Sequence, residues 1–555
     1  MKPEHGEGLR PGPRIVPTPV ANLGADGVFY TTKTDREPLA VASRVITWLL
    51  LVFVLGFSLV RARSQAIAHD EALTYVSYIH GGFGQTLKFS PNNHVLFTWA
   101  AAMMTRLFGV TEFTLRLPSL AGLMIYLISC YLLCRRLFGS GIVLVLTCAL
   151  LVTNPLLLDF SVAARGYGLG LSLLMLAAVM FADLTGLDRA GSPPDRWELK
   201  CAVASVCLGL AVVANFSYLL PAASFAVVFT AITVGKLRTS GGSYGRRLTR
   251  IGRWVVIPGS VVGVVILWHY LIQARSSAFQ FGYGKLTVFM REAMDSSLLY
   301  KWTDETYANL GTHPLVAHSW QHLVSTWLSF VVLPLLTLSI VVGFVVSLRK
   351  SPFADRSSHR TWCQLFCGTT IGCLCLLVFL HLIFLGDYPV VRGCLYLIPL
   401  YTLSTALVTR QFGSNAAPVV RLLGLLAAIV ITADYVGSLQ MSTFRYNVYD
   451  AHSREAFTSV VKDAREKGLK DVQMGGTWWY EPELNFYRLR YQANQMRAYQ
   501  VLNVASPFVS LNLQKVADYD YLCLTAENKL DVENQGWRVV FRDDTTGITI
   551  AAIDR

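Results

Sequence analysis

Two carboxylates stand side by side at Asp70 and Glu71 in the stretch "SQAIAHDEALTYVSYIH", just after an apolar run and an Arg-Ala-Arg. At the edge of a bilayer, partial desolvation raises a carboxylate's pKa toward the range of a useful general base. Two later segments carry ionisable residues in a similar setting. "LLLDFSVAARGYGL" holds Asp159, Arg165 and Tyr167, and "LGDYPVVRGCLYLIPLY" holds Asp387, Arg392 and Tyr396. Arginines converging beside a carboxylate make a site for an anionic headgroup next to a base, because the guanidinium fork binds phosphate oxygens in pairs. The plainer reading of each arginine alone is snorkelling to lipid headgroups.

Elements of a particular kind must hold these residues. Hydrophobic residues make up 53% of the chain and charged ones only 15%, against about a quarter charged in a soluble domain. The chain reads as a polytopic α-helical membrane protein with about 11 spans. They fall near 45–61, 117–134, 141–157, 167–184, 200–214, 217–235, 254–273, 323–348, 362–385, 393–409 and 419–438, each near the ~20 residues a bilayer requires. Basic residues set the orientation. The 236–253 loop has six of them and no acid, and Arg135, Arg136, Arg410 and Arg421 fall on the same predicted side. That is the positive-inside pattern. It accounts for the net charge of +13 as topology and removes the nucleic-acid reading. Segments 62–116 and 274–322 and the chain from 441 then face outward.

Three domains are expected: a disordered cytoplasmic tail over 1–44 without a signal peptide's apolar core, a transmembrane domain over 45–440, and an extracytoplasmic α/β domain over 441–555. The last carries 14 basic and 15 acidic residues. It alternates helix-like "SREAFTSVVKDAREKG" and "EPELNFYRLRY" with strand-like "DVQMGG", "DYDYLCLT" and "WRVVFRDDTTGITIAAI", a pattern for a small, partly parallel sheet. In the first outward loop, "NNHVLFTWAAAMMTRLFG" sets Val95, Leu96, Trp99, Met103 and Leu107 near one stripe, as in a helix lying on the bilayer. The cysteines read as buried small hydrophobes. His318 and His322 have zinc-ligand spacing, but with no Glu or Cys nearby they read, with His313, as interfacial histidines. The glycine-rich "GGFGQ" and "GGSYG" lack the context of a nucleotide loop.

Taken in order, "HDEALTYVSY", "NNHVLFTWAAAMMTRLFGVTEFTLRLPSLAGL", "CRRLFG", "AARGYGLGLSLL" and "RGCLYLIPLY" resemble the bacterial GT-C glycosyltransferases of the protein-mannosyltransferase and aminoarabinose-transferase type. The resemblance spans about 45–440 and is strongest over 65–185. It implies an inverting transfer of sugar from a polyprenyl-phosphate donor to an acceptor on the outer face of a bacterial inner membrane. On this likeness Asp70 takes the acceptor's proton, with Glu71 as its neighbouring acid. Arg165 or Arg392 holds the departing phosphate. Lys88 stands near a family phosphate-contacting lysine, but "SPNNHVL" replaces the commoner His/Lys-Pro-Pro-Leu pattern, which leaves Lys88, Asn92, Asn93 and His94 as substrate-binding candidates of open role. Tyr167 and Tyr396 complete the candidate set. No cofactor is required; relatives using diphosphate donors employ a divalent ion, and Asp70 with Asp159 is the pair that would share Mg or Mn here. The competing reading is a non-catalytic carrier or flippase for a lipid-linked glycan, or a scaffold. A carrier should show paired halves and broken spans at mid-bilayer, whereas these acids cluster at span ends.

Overall fold

The computed structural model describes residues 33–185, 196–237, 244–273, 282–298, 323–349, 357–384, 386–412, 418–441, 444, 449–503, 516, 518–525, 532, 534–544 and 546–553. All eleven predicted spans are helical within these residues. Among the described residues, eight helices are long and apolar enough to cross a membrane. The third predicted span is instead a bent pair, Ile142–Val152 and Pro155–Val162, meeting at 54°. Asn154 breaks it by capping the second helix through its side chain, with Pro155 at the first helical position. The last two predicted spans fall on the shorter helix Leu397–Phe412 and on Pro418–Gly437, whose apolar stretch is the shorter Leu422–Gly437.

One boundary differs from expectation. The first helix runs Lys33–Ser64, so residues 33–44 are helical rather than a disordered tail; Pro38 lies inside it at the sixth position, past the free N–H groups of the first turn, and removes one helix hydrogen bond. Residues 1–32 and the three histidines between 313 and 322 lie outside the described residues. Both "RLFG" signatures mark helix ends. Val95–Phe108 and Glu112–Phe138 stop at Gly109 and Gly139, whose φ values of 81° and 78° suit glycine.

The densest packing joins Gly166–Thr185 to Trp197–Ala214 and to Glu112–Phe138. Glycines permit it: a Cβ on Gly122 would lie 3.1 Å from Leu169 Cα, and one on Gly170 3.2 Å from the Ala211 carbonyl. Helix Val95–Phe108 buries Val95, Phe97, Ala101 and Ala102, and exposes Met103 and Leu107. Its outward stripe therefore omits Val95. All eleven cysteines are free, and all but Cys375 are buried.

The C-terminal region forms helices Ser453–Glu466 and Glu481–Arg490 and a five-stranded sheet. Strand order is Gln500–Asn503, Met474–Thr477, Tyr521–Leu524, Thr549–Ala552, Arg538–Arg542; the first three run parallel and the last two antiparallel. The edge strand Gln500–Asn503 carried no alternating pattern and was not expected. Its apolar core is continuous with the first inter-helix segment: Phe457, Tyr487 and Phe486 cluster with Ile67, Ala72, Tyr75 and Phe97.

Candidate active site

Asp70 lies in the short helix His69–Thr74, which runs into a π turn at Tyr75–Ile79, a distortion found often at functional sites. Its carboxylate meets two arginines from distant segments. Arg392 Nη1, in the turn Val391–Cys394, donates to Asp70 Oδ2 at 2.8 Å. Arg165 Nη2, from the connection before Gly166–Thr185, lies 3.9 Å from the same oxygen. Arg165 also donates to the Asp70 carbonyl, Thr74 Oγ1 and Asn92 Oδ1, at 3.2, 3.4 and 3.4 Å. The Arg165 side chain is 1% exposed, while Asp70 and Arg392 keep 18% and 21%. Both remain open to a ligand.

The electrostatics reverse the sequence expectation. Burial pushes the Asp70 carboxyl up, but Arg165 and Arg392 outweigh it and hold it at about 2. The ligand-free carboxylate is thus a weak base held by cations. An anion that occupied the guanidiniums would release it.

Glu71 has a different job from the one expected. It is fully buried and caps its own helix by accepting the Ala68 N–H at 2.9 Å. Arg116 grips it in bidentate fashion, at 2.8 and 2.5 Å, and the Ala164 N–H donates to it at 2.5 Å. Arg116 further ties the carbonyls of Ala62, Gln65 and Ala66. Glu71 therefore belongs to the core. It welds the end of the first long helix to the Arg165 connection. Cutting a buried pair leaves an uncompensated charge costing about 3–5 kcal/mol, so Arg116→Met is expected to lower the yield and melting temperature of the folded protein sharply. Thermal unfolding in detergent measures this; a midpoint within a degree of wild type would contradict it.

The other candidates separate clearly. His94 is buried, its Nδ1 is 3.2 Å from the Ala214 carbonyl, and its ring packs 4.8 Å from that of Tyr167, tilted by 59°. Since a carbonyl only accepts, Nδ1 carries the proton and Nε2 presents a lone pair, which has no hydrogen-bond partner among the described residues. Burial, then Arg165, drives the His94 pKa well below the usual histidine value, so the ring is neutral. Gly166 makes this closeness possible: a Cβ there would sit 2.0 Å from the Ala214 carbonyl and 2.8 Å from His94 Cβ. Tyr167 lies under the Arg165 guanidinium, 5.8 Å from its ring centre.

Asn93 braces the loop instead of facing the site, its amide nitrogen lying 3.1 and 2.9 Å from the carbonyls of Thr86 and Lys88 and 2.5 Å from Tyr270 Oη. Lys88 is exposed, with no ion pair from its side chain among the described residues. Tyr396 is turned into the membrane core against Tyr218 and Cys394. Asp387 is exposed and outside the cluster.

Asp159 pairs with Arg61 at 2.5 Å, both buried, and Arg61 lies 4.8 Å over the Phe444 ring. A cavity of about 20 Å³, lined by Asp70, Glu71, Asp159, Arg165 and Phe444 among others, separates the two aspartates and is large enough for one water. A shared divalent ion does not suit this donor set. Each carboxylate is already matched by arginine, and no cluster of three or more His, Cys, Asp or Glu fit to hold a metal occurs among the described residues.

Sequence reasoning missed Arg61 and Arg116 as anchors, although Arg116 stands in the quoted "LRLPSL". An arginine just inside an apolar span is costly unless paired, and that was the available signal.

The family model described as dolichyl-phosphate-mannose-protein mannosyltransferase matches residues 92–246. This stretch contains His94, Asp159, Arg165 and Tyr167, and agrees with the GT-C resemblance carried by the motifs; Asp70 and Arg392 lie outside it. No curated protein matches the chain. Among solved structures, ArnT from Cupriavidus metallidurans in the apo state is 13% identical over 91% of this chain and 97% of its own, with a TM-score of 0.41. The same protein bound to undecaprenyl phosphate gives 12%, 92%, 98% and 0.38. The Archaeoglobus fulgidus oligosaccharyltransferase in the apo form gives 12%, 87%, 70% and 0.45. At such identities the role of each residue rests on the geometry of this chain.

Proposed function

We propose that the protein is an inverting glycosyltransferase that moves a sugar from a polyprenyl-phosphate donor to an acceptor hydroxyl or amine on the outer face of the membrane. The observation that carries this reading is a partly open carboxylate, Asp70, held between two guanidiniums, Arg165 and Arg392. The match over 92–246 supports the same class.

The chemistry follows from the charges. The donor's phosphate competes with Asp70 for the arginines and, once bound, takes up their charge. Asp70 then becomes more basic at the moment it is needed. As the anomeric C–O bond to phosphate breaks, the acceptor's oxygen or nitrogen forms the new bond and its proton passes to the Asp70 carboxylate. The negative charge gained by the leaving phosphate stays on Arg165 and Arg392. Neutral His94, with its free lone pair, can accept a hydrogen bond from a sugar or acceptor hydroxyl. The direct test is transfer of labelled sugar from a panel of undecaprenyl-phosphate-linked sugars by purified protein in nanodiscs. Turnover of none of them, with retained glycan-lipid binding, would favour a carrier.

Orientation is tested separately. A cysteine introduced at an exposed position of the C-terminal region, such as Gln500, should react with an impermeant maleimide from outside intact cells. One at Thr249 should stay protected. The opposite labelling pattern would place Asp70 on the wrong side for a flipped donor.

A further inference from the structure

The C-terminal region grips the segment that carries Asp70. Ile67 N–H donates to Tyr487 Oη at 2.9 Å, and Arg454 donates to the Gln65 carbonyl at 3.1 Å. Nearer the site, His69 N–H donates to Asp450 Oδ2 at 2.6 Å. The His69 ring Nδ1 lies 2.8 Å from the Trp479 carbonyl and 3.2 Å from Glu483 Oε1, so this nitrogen carries a proton. Residues 65, 67 and 69 are thus all tied to the C-terminal region, immediately before Asp70.

Asp450 and Glu483 are both buried. Both carboxyls meet His69, Asp450 Oδ2 at the backbone N–H and Glu483 Oε1 at the ring Nδ1. Burial, then the neighbouring Glu483, pushes the Asp450 carboxyl well above the ordinary range. Docking alone does not call for this arrangement. The shared apolar core already joins the two parts, and Glu112 binds Arg454, Arg490 and Tyr487 from across the same junction. Buried acids are an expensive way to add stability. Their position against His69, one residue from the carboxylate, is what distinguishes them.

We propose that Asp450 and Glu483 are positioning residues for the transfer: they fix His69 and thereby aim the Asp70 carboxylate, which makes the C-terminal region part of the reaction machinery. This rests on the reading of Asp70 as the base. Burial pushes Glu483 up to about 8. The titratable groups facing it are Asp450, His69, Asp70, and Glu481 on its own helix, while the Tyr449 and Tyr480 hydroxyls stay neutral. The sign is that of a raised acid. The clamp is fully present below the ordinary glutamate value near 4.5 and is lost as pH rises through about 8.

The test uses full-length protein in nanodiscs, with Asp450→Ala and Asp450→Asn. Asparagine retains the hydrogen bond that fixes His69, since its oxygen accepts from the His69 N–H. Turnover of the undecaprenyl-phosphate-linked sugar that wild type consumes should fall about tenfold or more in Asp450→Ala, with undecaprenyl phosphate affinity within about twofold. Asp450→Asn should restore most of the rate and flatten the decline of kcat on the alkaline side. Amide exchange over residues 65–74 should quicken in the alanine variant alone. Wild-type turnover and exchange in Asp450→Ala would overturn the proposal, as would an asparagine variant as impaired as alanine. If even wild type transfers no sugar, the functional reading fails, and exchange still decides the clamp: quickening confined to Asp450→Ala supports it, and unchanged exchange removes it.

Discussion

Asp70→Asn is expected to lower sugar transfer by about 10²–10⁴-fold, the range for a positioned general base, while undecaprenyl phosphate binds as well as or better than to wild type. The two halves of that result come from one geometry. Asparagine keeps the size and an acceptor oxygen for Arg392, so the helix His69–Thr74 should hold its place. It cannot take a proton from the acceptor. It also carries no charge, and so no longer competes with a phosphate for Arg165 and Arg392, which lie 3.9 and 2.8 Å from the native carboxylate. Rate and affinity should therefore move apart. A merely structural aspartate would lose both together. The pH profile adds a further check. With the carboxyl held at about 2 in the ligand-free protein, kcat/KM should show no acid limb from Asp70 above about pH 4. The limb in kcat should lie higher, because bound phosphate offsets the arginines. Wild-type turnover in Asp70→Asn would move the base elsewhere, with His94 Nε2 the next candidate.

The sequence showed which segments meet but not which way each residue faces. Asp70, Arg165 and Arg392 could be read together because all sit at predicted span ends of like depth, although 322 residues separate the outer two. Glu71 could not be read. Adjacent helical residues point about 100° apart, so one of an Asp-Glu pair faces the site and the other the core, and the pattern alone does not say which. Tyr396 failed for a related reason. The turn at Val391–Cys394 intervenes before the helix Leu397–Phe412 begins, so a helical register from Arg392 does not carry through to it. Asp159 was grouped with Asp70 and lines the same cavity, yet Arg61, read only as a flank of the first span, neutralises it. The acid pair Asp450 and Glu483 lay beyond reach, since nothing local signals that residues in a helix start and a linker will close on His69.

Replacing either arginine should weaken the site, in ways that separate their roles. Arg392→Ala is expected to reduce undecaprenyl phosphate affinity by about 10–100-fold, in line with roughly 1.5–3 kcal/mol for a hydrogen bond to a charged group, with little change in fold. Arg392 is one-fifth exposed and reaches Asp70 from a short turn, so its removal disturbs few contacts. Its loss should also let the Asp70 carboxyl rise from about 2, which shifts the acid limb of kcat/KM upward. Arg165→Ala should cost more and cost differently. Its guanidinium is buried and also holds the Asp70 carbonyl, Thr74 and Asn92, so turnover, donor affinity and thermal stability should all fall. Lysine at 392 should restore part of the affinity, because its point charge attracts phosphate without the paired hydrogen bonds of the guanidinium. Binding of labelled undecaprenyl phosphate and single-turnover transfer, measured on the same preparations, separate the effects. Unchanged binding and turnover in both alanine variants would reduce the arginines to headgroup contacts and leave Asp70 without a phosphate to release it.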